Sequence, residues 1–270
     1  MADIQHLRKM TGAGMMDCKN ALNEADNDFD KAMEIIRKKG QAVAAKRSDR
    51  DASEGCVIAK KNGEFAAMIA LKCETDFVAK NEDFVALTNQ IIDAAIAAKC
   101  KSLDEVKALP MGNGTVQDAV TDRSGVTGEK MELDGYSFVE GATTAVYIHP
   151  GNRLATIVAF NLGGVADEAT HEVAMQIAAM SPVAVDEAGV PADLLAREKE
   201  IAADKARQEG KPENLIERIA QGRISKYYKE VCLLNQEYVK DPKITVAQYL
   251  KSVNKDLTVV AFSRFTLNQE

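Results

Sequence analysis

The residues best equipped for chemistry in this sequence are five cysteines, three histidines and one short mixed run. The cysteines are Cys18, Cys56, Cys73, Cys100 and Cys232; the histidines are His6, His149 and His171; the run is Thr75-Asp76-Phe77-Val78-Ala79-Lys80. The cysteines are odd in number, widely spaced and never in a C-x-x-C pair, which speaks against a disulfide framework or a zinc site. The histidines are too scattered to form an H-x-x-x-H metal face. No metal and no cofactor is expected. Cys73 stands beside Glu74 and Asp76, and an anionic neighbourhood makes a thiol less nucleophilic. Gly12-Ala13-Gly14 begins a G-x-G, but Asp17 takes the third glycine's place and no strand precedes it. Gly125-Val-Thr-Gly-Glu-Lys130 lacks the spacing of a phosphate loop, and no G-x-S-x-G elbow occurs. Nothing in the chain is set up for covalent catalysis, so an enzyme is not expected.

Binding chemistry remains. Thr75 to Lys80 lies between an apolar strand and the start of a helix. Phe77 has two readings there. It is either an inward hydrophobic staple over the next helix, or an exposed aromatic anchor for another protein with Asp76 beside it. The basic residues Arg37-Lys38-Lys39, Lys46-Arg47 and Arg50 have no interleaved aromatics to stack on bases. They read as a helix end and a charged linker rather than an RNA surface. The formal net charge of −7 points the same way, so no direct nucleic-acid partner is expected.

These residues need elements to position them. Hydrophobic residues are 46% of the 270, charged residues 28% and aromatics 5%. That is the composition of a chain able to bury a core, with a helical lean. No run of about 18 apolar residues and no leader pattern occurs, so neither membrane nor export is expected and the reading is a reduced, cytoplasmic protein. The first forty residues predict three short amphipathic helices. Helix one begins near Asp3 and ends at Thr11-Gly12. Helix two carries Met15, Cys18, Leu22 and Ala25 inward, which leaves Met16 the better exposed candidate. Helix three is capped by Asp28, with Phe29, Ala32, Met33 and Ile36 inward and Gly40 as its C-terminal stop. Gln41 to Glu54 reads as a linker. Asn62-Gly63 between apolar runs predicts a hairpin, with both residues at positive φ. Asn81 is placed to cap a long helix bearing Phe84, Leu87, Ile91, Ile92 and Ala95. Hairpin-then-helix recurs with Ala145–Ile148, Leu154–Phe160 and a helix from Asp167, hinting at an internal duplication. Two charged helical stretches follow around Gly210-Lys211-Pro212. Val259 to Leu267 reads as a final strand closing the second sheet.

Thr11-Gly-Ala-Gly-Met-Met-Asp-Cys-Lys19, with Leu7-Arg8 before it and Ala21-Leu22 after, resembles the N-terminal signature of the bacterial translation elongation factor Ts family. Thr75-Asp-Phe-Val-Ala-Lys80 resembles its second signature. His171-Glu-Val-Ala-Met-Gln-Ile-Ala-Ala179 and Gly210-Lys-Pro212 resemble later segments, so the likeness covers nearly the whole chain in order. Met131-Glu-Leu-Asp-Gly135 departs from it, standing where the family often carries an arginine pair.

The resemblance implies an α+β protein. It would have a UBA-like three-helix domain over 1–40, a linker over 41–54, and two α+β core subdomains over 55–140 and 141–270. An antiparallel helical hairpin at 192–231 would project from the second. The implied activity is guanine nucleotide exchange on elongation factor Tu, in its GDP-bound and nucleotide-free forms. Thr75, Asp76, Phe77 and Val78 match the segment that dislodges Mg²⁺ from that GTPase. Leu7, Met15 and Met16 match positions packing on one of its surface helices, and His171 matches a core contact. A homodimer stays open as a second partnership. The competing reading is a non-catalytic protein-interaction module, which would have no need of residues 75–80.

Overall fold

A computed structural model describes residues 2–268; Met1, Gln269 and Glu270 lie outside them. The N-terminal unit is α1 (Ala2–Thr11), α2 (Met15–Glu24) and α3 (Phe29–Lys46). Leu7, Cys18, Ala21, Leu22, Ala25 and Ala32 form its small core. The Asp28 carboxylate caps α3 by accepting from the Lys31 amide at 3.1 Å. The expected stop at Gly40 does not occur, because α3 runs on to Lys46 and takes up part of the expected linker. Gly40 is needed for another reason: it faces Gly125 of a later helix at van der Waals range.

The core begins with β1 (Glu54–Asn62) and β2 (Phe65–Cys73), a hairpin in which Asn62 pairs with Phe65. The two turn residues are therefore Gly63 and Glu64, not Asn62 and Gly63. Only one positive φ is required, and Gly63 supplies it at +62°. Next come the single turn α4 (Asp76–Ala79) and α5 (Glu82–Ala98), capped by Asn81 as expected. Then follow α6 (Leu103–Ala108), the short pair β3 (Pro110–Met111) and β4 (Gly114–Thr115), and α7 (Val116–Thr127). β5 (Glu132–Glu140) completes the first sheet in the order β1-β2-β5. The Met131–Gly135 departure thus opens an edge strand, with Leu133 pointing into the core.

The second half repeats this plan. β6 (Thr143–Ile148) and β7 (Leu154–Phe160) form a hairpin, and α8 (Asp167–Met180) packs on it. α9 (Ala192–Gln208) and α10 (Glu213–Val231) pack on each other. β8 (Glu237–Tyr238), β9 (Asp241–Thr245), α11 (Val246–Val253) and β10 (Val259–Thr266) follow. β10 joins β7, giving the order β10-β7-β6. Each sheet is thus a hairpin whose second strand becomes the centre, closed by a later strand. In each, the pairing with that later strand carries a register shift. The repeat of plan reaches further than hairpin and helix: it includes the third strand.

Alternation along the strands sorts side chains into layers. Ile58, Ile69 and Leu71 face α5, where they meet Phe84, Ile91 and Ile92. Val57, Met68, Ala70 and Val139 face the other way, onto Ala155, Ile157 and Ala159 of the second sheet. Val158 and Phe160 turn to α8, against Val173 and Ile177. The layers run helix, sheet, sheet, helix. Buried on both faces, β2 and β7 read as nearly unbroken apolar runs. Among the described residues no helix is long and apolar enough to cross a membrane.

Candidate functional site

The run 75–80 folds as a capped turn on the rim of the first sheet. Thr75 is extended, and its hydroxyl oxygen accepts from the Val78 amide at 3.4 Å. That bond makes α4 a defined turn, with Lys80 donating to the Asp76 carbonyl at 3.1 Å. The backbone direction then separates the four candidates. Val78 turns inward against the α5 core. Phe77 turns out and is 84% exposed, so the reading of it as an inward staple over the next helix is corrected. Asp76 is exposed, and its carboxylate accepts from the Lys80 ammonium at 2.6 Å. The hydrogen bond from Lys80 and the charge behind it hold the Asp76 carboxyl below its ordinary range.

The shoulder of this turn is built by residues that the sequence does not single out. The Glu129 carboxylate accepts from the amides of Glu74 and Thr75, each at 3.1 Å, and from the Thr75 hydroxyl at 2.6 Å. In the opposite sense, Glu74 accepts from the Lys130 amide at 2.6 Å. Arg47 at 3.3 Å and Arg50 at 3.2 Å complete the shell of Glu74. The Lys130 amide is the main reason the Glu74 carboxyl is held low, with the two arginines adding to it. The basic residues of the linker therefore have an intramolecular task beside the turn. Arg123 of α7 donates to the Asn81 cap at 2.8 Å and pairs with Asp83 at 3.1 Å.

α7 also reaches the N-terminal signature. A methyl built on Gly12 would stand 3.5 Å from the Arg123 guanidinium and 3.6 Å from Val126. Arg37 of α3 lies 3.2 Å from Asp118 and 3.7 Å from Asp122. α7 and the residues just after it thus lie beside both signature segments. The stretch 125–130, which fails as a phosphate loop, is the end of that helix. Gly125 allows the close approach of α3, and Gly128 at φ +71° turns the chain so that Glu129 follows. A glycine just past a helical pattern was the available signal for this helix end.

Placement of the remaining candidates is uneven. Met16 is 64% exposed, and Met15 is 54% exposed despite its helical spacing from Cys18. The inward reading of Met15 is therefore corrected: at the first position of α2 it lies beyond the edge of the small core. Met10 is also exposed, beside them in sequence at the end of α1. Leu7 is fully buried in the three-helix core, so it has no surface for a partner and supports the helices that carry the methionines. His171 is exposed on α8 in the other half of the core. Its ring meets the Tyr147 ring edge at 5.7 Å, beside a depression of about 410 Å³ lined by Lys61, Asp167 and Glu168. All five cysteines are free and buried, and burial pushes the Cys73 thiol up to about 12 and the Cys56 thiol to about 11. Among the described residues no group of three His, Cys, Asp or Glu is placed to hold a metal ion.

Comparison with known proteins bears on the same two segments. Residues 74–269 match the family described as "Elongation factor TS". A protein of Porphyromonas gingivalis named elongation factor Ts is 58% identical over 269 residues, covering 99% of this chain and 98% of its own length. One of Phocaeicola vulgatus with the same name is 56% identical over 327 aligned positions, covering 100% of this chain and 99% of its own length. A third, of Azobacteroides pseudotrichonymphae, is 50% identical over 268 residues. With likeness of this depth along the whole length, and the exposed Phe77 turn inside the matched region, the chain belongs to the elongation factor Ts family.

Proposed function

We propose that this chain is a guanine nucleotide exchange factor for elongation factor Tu. Family membership places it in translation elongation, and the exchange mechanism is our reading of the site. The observation that carries it is Phe77, a large aromatic 84% exposed on a turn with a fixed cap. A large aromatic presented on a capped turn has the form of an interface anchor, the kind of residue that carries most of a binding surface's energy.

The work asked of it is displacement, not bond-making. Mg²⁺ bridges the phosphates of a bound nucleotide and side chains of the GTPase. Phe77 enters between elements of the GTPase domain, and Asp76 disturbs local hydrogen bonds beside it. Together they loosen the Mg²⁺ and phosphate site, and GDP leaves. The factor binds the nucleotide-free GTPase more tightly than the nucleotide-bound form, and that difference is all that drives release. The coupling is reciprocal, so incoming nucleotide expels the factor. Met15 and Met16 supply a soft apolar contact able to adapt to a partner helix. His171 adds a contact from the other half of the core. We read the three helices up to Lys46 as a UBA-like docking unit, 47–54 as its connection, and 55–140 and 141–270 as the two core subdomains. The pair at 192–231 projects as a helical hairpin open to further partner contact or to a second copy of the chain.

The test is release of fluorescent GDP from elongation factor Tu in excess unlabelled GDP. Acceleration by substoichiometric amounts of the chain is the expected result. No acceleration from a folded chain and an active GTPase would overturn the reading. The exposed Met10, Met15 and Met16 favour a second reading, a non-catalytic interaction module. In that case substitution at Phe77 would leave partner binding and every GTPase readout unchanged.

A further inference from the structure

We propose that Glu129 is a positioning residue for the exchange turn: it fixes the direction of Phe77 without touching the partner itself. This rests on the exchange reading above. Phe77 is 84% exposed, so packing of its own ring contributes little to holding residues 75–78 in place. The order of the turn has another origin. Glu129 accepts the two successive amides of Glu74 and Thr75 on one carboxylate oxygen and the Thr75 hydroxyl on the other. The hydroxyl hydrogen is thereby committed to Glu129, and a lone pair of the same oxygen is left for the Val78 amide. The cap that starts α4 is therefore oriented by a residue 54 positions away in sequence.

The arrangement is reciprocal. Glu74 returns the contact by accepting the Lys130 amide, so each segment offers one carboxylate and receives the other. Arg47 and Arg50 pair with the Glu74 carboxylate and tie the clasp to the segment before β1. Bonds from neutral donors to an ionised carboxylate are about twice as strong as neutral ones. The clasp is anchored just beyond the end of α7, whose Arg123 also donates to the Asn81 cap. A wedge that swings freely has to be ordered at the moment of docking, and that ordering opposes binding of the strained state. Holding the turn in advance moves the cost into folding.

The experiment uses the full chain with Glu129→Ala and Glu129→Gln. GDP release is followed over a range of factor concentrations, and amide hydrogen exchange is followed over residues 70–81. Glu129→Ala is expected to lower the saturating release rate about tenfold while the half-saturating concentration moves less than about threefold, since the methionine surface is untouched. Glu129→Gln, which keeps one good acceptor, falls between. The Glu74 and Thr75 amides are expected to exchange faster in both. In a Phe77→Ala background, Glu129→Ala is expected to have almost no further effect, because the group it positions is gone. A saturating rate equal to the unsubstituted chain's overturns the proposal, as does an effect that multiplies fully with Phe77→Ala. If Glu129→Ala does not fold, Thr75→Val removes only the hydroxyl and is read by the same criteria. Failure of the unsubstituted chain to release GDP overturns the exchange reading itself. No loss in either Glu129 variant, with normal release by the unsubstituted chain, overturns this role alone.

Discussion

Gly40 of α3 and Gly125 of α7 meet backbone to backbone: a methyl built on Gly125 would stand 2.1 Å from the Gly40 Cα. This crossing joins the N-terminal unit to the core, and the Arg37 pairs with Asp118 and Asp122 flank it. Overpacking at such a contact forces the helices apart. We expect Gly125→Ala to cost about 1–3 kcal/mol in urea unfolding and to speed amide exchange along α3 beyond residue 36. A cost under about 0.5 kcal/mol would show that the two helices separate without penalty.

Phe77→Ala separates wedge from core. An exposed side chain away from packing changes stability by no more than about 0.5 kcal/mol on truncation, and that is the expected outcome here. GDP release from elongation factor Tu is expected to slow by more than about tenfold. A stability loss of about 3–5 kcal/mol, the range for a buried Phe, would place the ring inside the fold instead.

Met16→Asp tests the second contact. It sets an anion on the exposed start of α2, where the unfolded and folded chains are both hydrated, so folding is nearly unaffected. Burying that carboxylate against an apolar partner helix is costly. The half-saturating concentration of the factor is expected to rise by about tenfold, with a smaller change in the saturating rate. Unchanged concentration dependence would remove Met16 from the docking surface.

Glu172 offers a pH test away from the turn. Its carboxylate is largely buried, which by itself disfavours the charge, but Lys240, Tyr238 and Tyr249 all donate to it and outweigh that cost. The carboxyl is held down to about 2 against an ordinary glutamate value of 4.5. A depressed carboxyl stabilises the fold fully above its unfolded value and loses that contribution as pH falls through the folded one. We therefore expect Glu172→Gln to destabilise by up to roughly 3 kcal/mol at pH 7, with the difference shrinking between pH 4.5 and about 2. A difference independent of pH would mean that the group's packing matters and its charge does not.

Local chemistry made much of this fold legible in advance. Asn81 announces a helix start because its side chain can reach two free amides, and both bonds form. The apolar runs on either side of Gly63 announce a hairpin, and only its register was displaced by one residue, because a single glycine meets the demand of the turn. Phe77 could be found but not oriented from sequence. Whether it faced in or out depended on the Thr75 cap, and the cap depends on Glu129, a residue far along the chain. β5 was missed since Asp134, Gly135 and Ser137 interrupt its apolar residues and its pairing shifts register, which leaves little alternation to read. α7 was missed for a related reason: Val116 and Val120 are its only large buried apolar side chains, and glycine, serine and threonine fill much of the rest. Gly40 shows the remaining difficulty. A glycine that ends a helix and one that lets a second helix approach carry the same letter.

The segments that lead into α9 and out of α10 meet each other at one place. The Val183 amide donates to the Val231 carbonyl at 2.9 Å, and Leu233 and Leu234 donate in turn to Ala184 and Val185 at 2.9 and 3.0 Å. The two ends of the excursion, residues 186–230, are thus stapled side by side, and the entropy of closing such a loop changes only slowly with its length. Between those staples the chain is a cassette. A change of length between the staples leaves its two ends where they are, so α8 keeps its seat against the second sheet and β10 its place within it.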